Sequence, residues 1–159
     1  MATREVWRWT FLGYTSADEG KPVQKWFDGL LPDEQDEIAD QFRIMATVNS
    51  SLWRRPEFDP LDGEDFSEIR PPDIRSNEGS KTYRVYGFFG PGKHEWTMLH
   101  GSEKSVKNDR DGKRIARERL AKIQQSRATT HEFNFSGEPS SSPKKEPGSS
   151  GKILRFHPK

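Results

Sequence analysis

The stretch Phe66–Val106 constrains the fold more than any other part of the chain. Within Thr82–Phe89, Tyr83, Val85 and Phe89 fall on one side and Arg84, Tyr86 and Phe88 on the other, the period-two alternation of a strand. Gly90-Pro91-Gly92-Lys93 is a turn, so His94–His100 is expected to return antiparallel to that strand. Phe66–Arg70 supplies a shorter strand, ended by Pro71-Pro72, and Ile74–Ser80 reads as a polar connection. Arg70, Arg84, His100, Lys104 and Lys107 are scattered along and just beyond these strands. Permanently charged arginines and lysines with an imidazole are the groups that hold and cleave a phosphodiester without a metal. Convergence of these side chains on one face would point to a small ribonuclease. Divergence would leave a basic sheet that only binds.

The flanking segments read as a strand and three helices. Val6–Tyr14 is rich in aromatic residues, with Trp7, Trp9, Phe11 and Gly13 on one side and Arg8, Thr10 and Leu12 on the other. A helix is expected from about Lys21, with Pro22 at its first position and Val23, Trp26, Phe27 and Leu30 at helical spacing. Leu31-Pro32 breaks it and starts a second, whose first turn carries Asp33, Glu34 and Asp36 at the positive end of the helix dipole. Its apolar stripe runs through Ile38, Phe42, Met45 and Ala46 to about Val48. Asp109 is placed to cap a last helix, about Arg110–Ser126, with Ala116, Leu120 and Ile123 on its apolar side and Arg110, Arg114 and Arg117 on a basic one.

A chain of 159 residues fits one domain, and 30% hydrophobic against 32% charged residues with a mean hydropathy of −1.01 is polar for a fully folded one. A compact core followed by a polar tail accounts for this: Ser136–Gly151 is almost entirely Ser, Pro, Gly, Lys and Glu. Beyond it, Ile153-Leu154-Arg155-Phe156 is an apolar island that reads either as a docking segment or as a frayed end. The absence of cysteine excludes disulfides and thiolate metal sites and fits a reducing cytoplasm. No apolar run is long enough for a transmembrane helix or a signal peptide. The net charge of +1 hides a division: Ser16–Asp65 holds 13 acids and 5 bases, whereas Phe66–Arg127 holds 14 bases and 8 acids. Such asymmetry suits a nucleic-acid surface on the basic half, or two halves that attract each other.

Four short motifs, in order, carry a resemblance. Leu30-Leu31-Pro32, then Leu61-Asp62-Gly63 with Phe66-Ser67-Glu68-Ile69-Arg70, then Thr82-Tyr83-Arg84-Val85, then Leu99-His100-Gly101 with Lys104, resemble the RelE/ParE toxin superfamily. Within it the phage-derived Gp49-like and HigB-like branch is the most similar, over roughly Val6–Gln125. Ser102 stands where that branch has an aromatic residue, and Ser105 where it has a second lysine. The expected fold is α+β, a β-α-α-β-β-β-α domain over residues 1–127 with an antiparallel sheet packed by helices, and a disordered tail over 128–159.

The resemblance implies the toxin of a type II toxin-antitoxin system, a ribosome-dependent endoribonuclease that cuts mRNA and stops translation in the cytoplasm. In the metal-free reaction a 2′-hydroxyl attacks the neighbouring phosphorus in line and the 5′-oxygen leaves, so a 2′,3′-cyclic phosphate forms. Arg84, Arg70 and His100 are the expected catalytic residues. The arginines neutralise the non-bridging oxygens and the imidazole moves protons. Lys104, Lys107, Arg110, Lys113, Arg114 and Arg117 are expected to contact RNA phosphates. No metal or cofactor is implied. The implied partners are a helix-turn-helix antitoxin, the ribosome and mRNA, with no membrane. The plain alternatives stay open: Arg84 on a solvated sheet face, Arg70 paired with Glu68 or Glu95, His100 capping its strand, and the last helix merely solvated. So do two other functions, a non-enzymatic toxin of the same fold that poisons DNA gyrase, and an inactive phage-derived binding protein.

Overall fold

The computed structural model describes residues 8–76, 79–104 and 109–136. In chain order the elements are β1 (Thr10–Thr15), α1 (Pro22–Asp28), α2 (Pro32–Ala46), β2 (Phe58–Asp59), β3 (Ser67–Ile69), β4 (Ile74–Ser76), β5 (Gly79–Lys81), β6 (Tyr83–Phe89), β7 (Glu95–Glu103), α3 (Arg110–Gln124) and β8 (Thr129–Glu132). Six strands form one sheet in the order β2-β3-β6-β7-β1-β8, while β4 and β5 pair separately as a small hairpin. The protein is therefore α+β, as expected.

Helix boundaries follow the local chemistry. Pro22 and Pro32 open α1 and α2, and the Glu34 carboxylate accepts the Leu31 N–H at 2.9 Å, satisfying one of the free donors at the start of α2. Asp109 caps α3 by accepting the Gly112 N–H at 3.0 Å. The alternation expected in β6 holds. Tyr83 and Val85 join a core with Phe11, Trp96, Met98 and the buried faces of α1 and α2. Tyr86 faces the other way, into a smaller core with Tyr14, Phe66, Leu99, Ala116 and Leu120 under α3. Helices thus cover both faces of the sheet, and the stretch of β7 that carries Trp96–Leu99 is buried throughout.

Three expectations need correction. The sheet is mixed rather than antiparallel, because β1 pairs with β7 in parallel register, Phe11 opposite Trp96. A strand buried on both faces, as β1 is at Phe11, Leu12 and Tyr14, suits an interior position. The connection Ile74–Ser80 is not featureless: Ile74–Ser76 and Gly79–Lys81 pair with each other. The domain also passes the expected boundary at residue 127. Strand β8 pairs with β1, and Phe133 and Phe135 enter the larger core against Phe27 and Phe42. Trp53, which follows a short turn of helix at Ser50–Leu52, is buried, and its indole N–H donates to the Met45 carbonyl at 3.0 Å. The expected tail beyond Ser136 lies outside the described residues.

Candidate active site

Strands β3, β6 and β7 are neighbours, and side chains on their α3-facing side meet near the start of α3. Register places Glu68 beside Tyr86, Tyr86 beside His100 and Arg84 beside Ser102. Arg84, Arg70 and His100, expected to act together, therefore do share one face, and they are joined there by Glu68, Tyr86 and Asp109.

Arg84 is at the centre but not at the surface; it is only 3% exposed. Its guanidinium lies between two carboxylates, Nε 3.7 Å from Glu68 Oε2 and Nη1 3.7 Å from Asp109 Oδ2. Nη1 also donates to the Tyr86 hydroxyl at 2.9 Å, and that hydroxyl donates onward to Asp109 Oδ2 at 3.1 Å. Burial, opposed by the neighbouring guanidinium, pushes the Tyr86 phenol up to about 12. The phenol stays protonated and keeps its donor. This chain ties the middle of the sheet to the cap of α3. The alternative of Arg84 on a solvated sheet face is therefore corrected: it is buried and paired.

Arg70 lies just past the end of β3 and is half-buried. Its Nη2 donates to the Glu68 carboxylate at 3.3 and 3.4 Å, the pairing that competed with a phosphate contact in the sequence. The Arg70 Nε is buried and makes no hydrogen bond among the described residues, so one donor is left unsatisfied. Arg70 also lines a small open cleft of about 170 Å³, together with Arg55, Pro56, Asp59 and Glu68.

His100, half-buried, stacks on the Tyr86 ring with centroids 6.3 Å apart and planes 16° from parallel. Burial, with the Arg119 charge adding to it, holds its imidazole below the usual 6.5. It is therefore mainly neutral at neutral pH and suits a proton acceptor. Gly101 follows it for a packing reason. A Cβ there would lie 2.4 Å from the Trp26 ring of α1, so the His-Gly pair of the motif lets α1 close onto β7.

The expected RNA contacts are dispersed. Lys104 follows β7 and is half-buried, its backbone N–H bonded to the Thr82 carbonyl. Lys107 lies outside the described residues. Arg110 and Lys113 sit in the first turn of α3, next to the cluster. Arg114 is exposed but paired with Asp111 at 2.8 Å and Glu118 at 3.2 Å, and Arg117 is paired with Glu64 at 2.6 Å. Further ion pairs join Glu34 to Lys81 and Glu19 to Arg119, so several basic residues of the second half are matched to acids of the first. Among the described residues, no cluster of His, Cys, Asp and Glu could hold a metal ion.

Sequence reasoning undervalued Glu68, Tyr86 and Asp109. Glu68 carries a local signal, since i and i+2 on a strand share a face with Arg70. Tyr86 reads as an aromatic core residue and Asp109 as a helix cap, and neither reading reveals that their polar atoms meet. No family model, curated protein or solved structure matches the chain, so the reading of this site rests on its residues.

Proposed function

We propose that this protein is the toxin of a type II toxin-antitoxin pair and cleaves ribosome-bound mRNA without a metal. The observation that carries the reading is that Arg70, Arg84 and His100 lie on one face of three adjacent strands, linked through Glu68 and Tyr86. The roles follow from accessibility. Arg70, whose half-exposed side chain lines a cleft, binds the scissile phosphate. His100 in its neutral form takes the proton from the 2′-hydroxyl. Arg84, held between Glu68 and Asp109, acts as a positioning residue that fixes Tyr86 beneath the His100 ring. Lys104, Arg110 and Lys113 flank the substrate. A helix-turn-helix antitoxin would cover this face.

A second reading has its own support. Arg84 is buried and faces two carboxylates, and Arg114 and Arg117 are already paired, so the face offers fewer available cations than the sequence suggests. That favours a non-enzymatic toxin acting on DNA gyrase, or an inactive binding protein. Expression in a bacterial host separates the readings. Growth arrest with cut messages, relieved by Arg70→Ala, supports the ribonuclease. Arrest with intact messages and induced DNA damage supports the gyrase poison, and a folded, harmless product supports the binding protein.

A further inference from the structure

At the far end of β6 from Arg84, five aromatic rings meet where the sheet runs out. Phe89 is the outermost, 47% exposed at the last position of β6. One face of its ring is backed by Trp53, with centroids 5.6 Å apart and planes 29° from parallel. Trp9 meets its edge at 5.3 Å and Phe58 at 6.0 Å, and Trp9 in turn contacts His94 at 5.4 Å. Trp53 is itself fixed by its bond to the Met45 carbonyl. The ring is thus held rigidly from behind with nearly half its surface open. Core burial does not explain that placement, since Phe89 ends a strand whose preceding positions Tyr83–Gly87 are all buried.

Basic residues lie near these rings in the chain. Arg8 and Arg54 adjoin Trp9 and Trp53 in the chain, and Lys93 and His94 form the turn beyond Phe89. All four are exposed, and Arg8, Arg54 and Lys93 make no ion pair among the described residues. Arg55, also exposed, is paired with Asp59 at 2.9 Å. An exposed ring on a rigid aromatic base, flanked by unpaired cations, has the chemistry of a platform for single-stranded nucleic acid. A base stacks on the ring and phosphates run past the arginines.

We propose that Phe89, backed by Trp53 and Trp9 and flanked by Arg8, Arg54 and Lys93, is a stacking site for single-stranded nucleic acid, separate from the Arg70–His100 face. The two places lie on opposite faces of the sheet: Phe89 shares its side with Tyr83 and Val85, whereas Arg84 faces Tyr86 under α3. The proposal does not rest on cleavage at the other face.

The test is fluorescence anisotropy of a labelled 12-nucleotide single-stranded DNA, which lacks the 2′-hydroxyl and cannot be cut by the proposed reaction, with the matching RNA in parallel. The full chain should bind both at low salt and quench tryptophan fluorescence. Phe89→Ala should weaken binding about 10-fold, within the range for loss of one base–aromatic stack, and Phe89→Trp should restore it. Arg54→Ala should lower the salt dependence by about one counterion. Unchanged circular dichroism in each variant keeps the comparison valid. Binding unaffected by Phe89→Ala, or no binding to either strand, would overturn the proposal. So would a change in sedimentation on Phe89→Ala without a change in nucleic-acid binding, which would assign the patch to a protein interface.

Discussion

Arg84 and Glu68 form an ion pair that water hardly reaches, and the energetics of such pairs are asymmetric. Removing one partner leaves a buried charge uncompensated, at a cost of about 3–5 kcal/mol, even where the pair itself contributes little net stability. Arg84→Ala should therefore destabilise the protein by about that amount in urea denaturation. Combining Arg84→Met with Glu68→Gln should cost less than the two single changes together, because neither partner is then stranded. Loss of activity in Arg84→Ala alone would thus be ambiguous, whereas Arg70, half-exposed, can be changed with little structural cost. Period-two alternation is enough to put Arg84, Tyr86 and Arg70 with Glu68 on shared faces. It does not give depth, because the carboxylate that closes over Arg84 comes from Asp109, on an element far along the chain. His131 makes a second prediction at this scale. Its Nδ1 lies 2.6 Å from Thr15 Oγ1, its Nε2 is buried without a hydrogen bond, and burial holds its imidazole down at about 4. A depressed folded pKa means that the unfolded chain takes the proton first. Stability should therefore be full above about 6.5 and fall as pH is lowered towards 4, and His131→Gln should flatten that part of the pH–melting-temperature curve.

At the scale of elements, one residue ties the first turn of α3 to the sheet. Asp109 accepts the Gly112 N–H with one oxygen and the Tyr86 hydroxyl with the other, so the helix cap and the site share a carboxylate. Asp109→Ala should cost about 1–2 kcal/mol for the cap alone, and more for the Arg84 charge that it helps to balance. Asp109→Asn, which keeps the cap geometry but not the charge, should recover part of that loss in thermal melts. The cap is legible in the sequence as an Asp before a helical run. The pairing of strands is legible only where a short turn enforces it, as Gly90–Lys93 does for β6 and β7. The parallel partnership of β1 and β7 has no local signal, because it joins segments about 85 residues apart and depends on which sheet edge is left open.

At the scale of the whole molecule, the polar C-terminal segment conceals a structural piece. The composition changes near Thr129, yet Phe133 and Phe135 supply two of the rings that pack against α1 and α2. Their apolar content is too sparse to give a periodic pattern, so the sequence assigns them to a tail. A chain ending after Arg127 should lose about 3–6 kcal/mol relative to one ending after Ser136, the burial of two phenylalanines, together with the pairing of β8. The opposed charge of the two halves is likewise clear in composition, whereas its use in internal ion pairs such as Glu64–Arg117 appears only once the chain is folded. The central claim, that the Arg70–His100 face cleaves RNA, is tested most directly by mapping message ends in a reconstituted translation reaction at several pH values. The account predicts cuts ending in 2′,3′-cyclic phosphate, a rate that rises with pH and levels off once His100 is neutral, and loss of cutting in Arg70→Ala with the fold intact. Messages left intact at protein concentrations that halt translation, or cutting that survives both Arg70→Ala and His100→Gln, would contradict it.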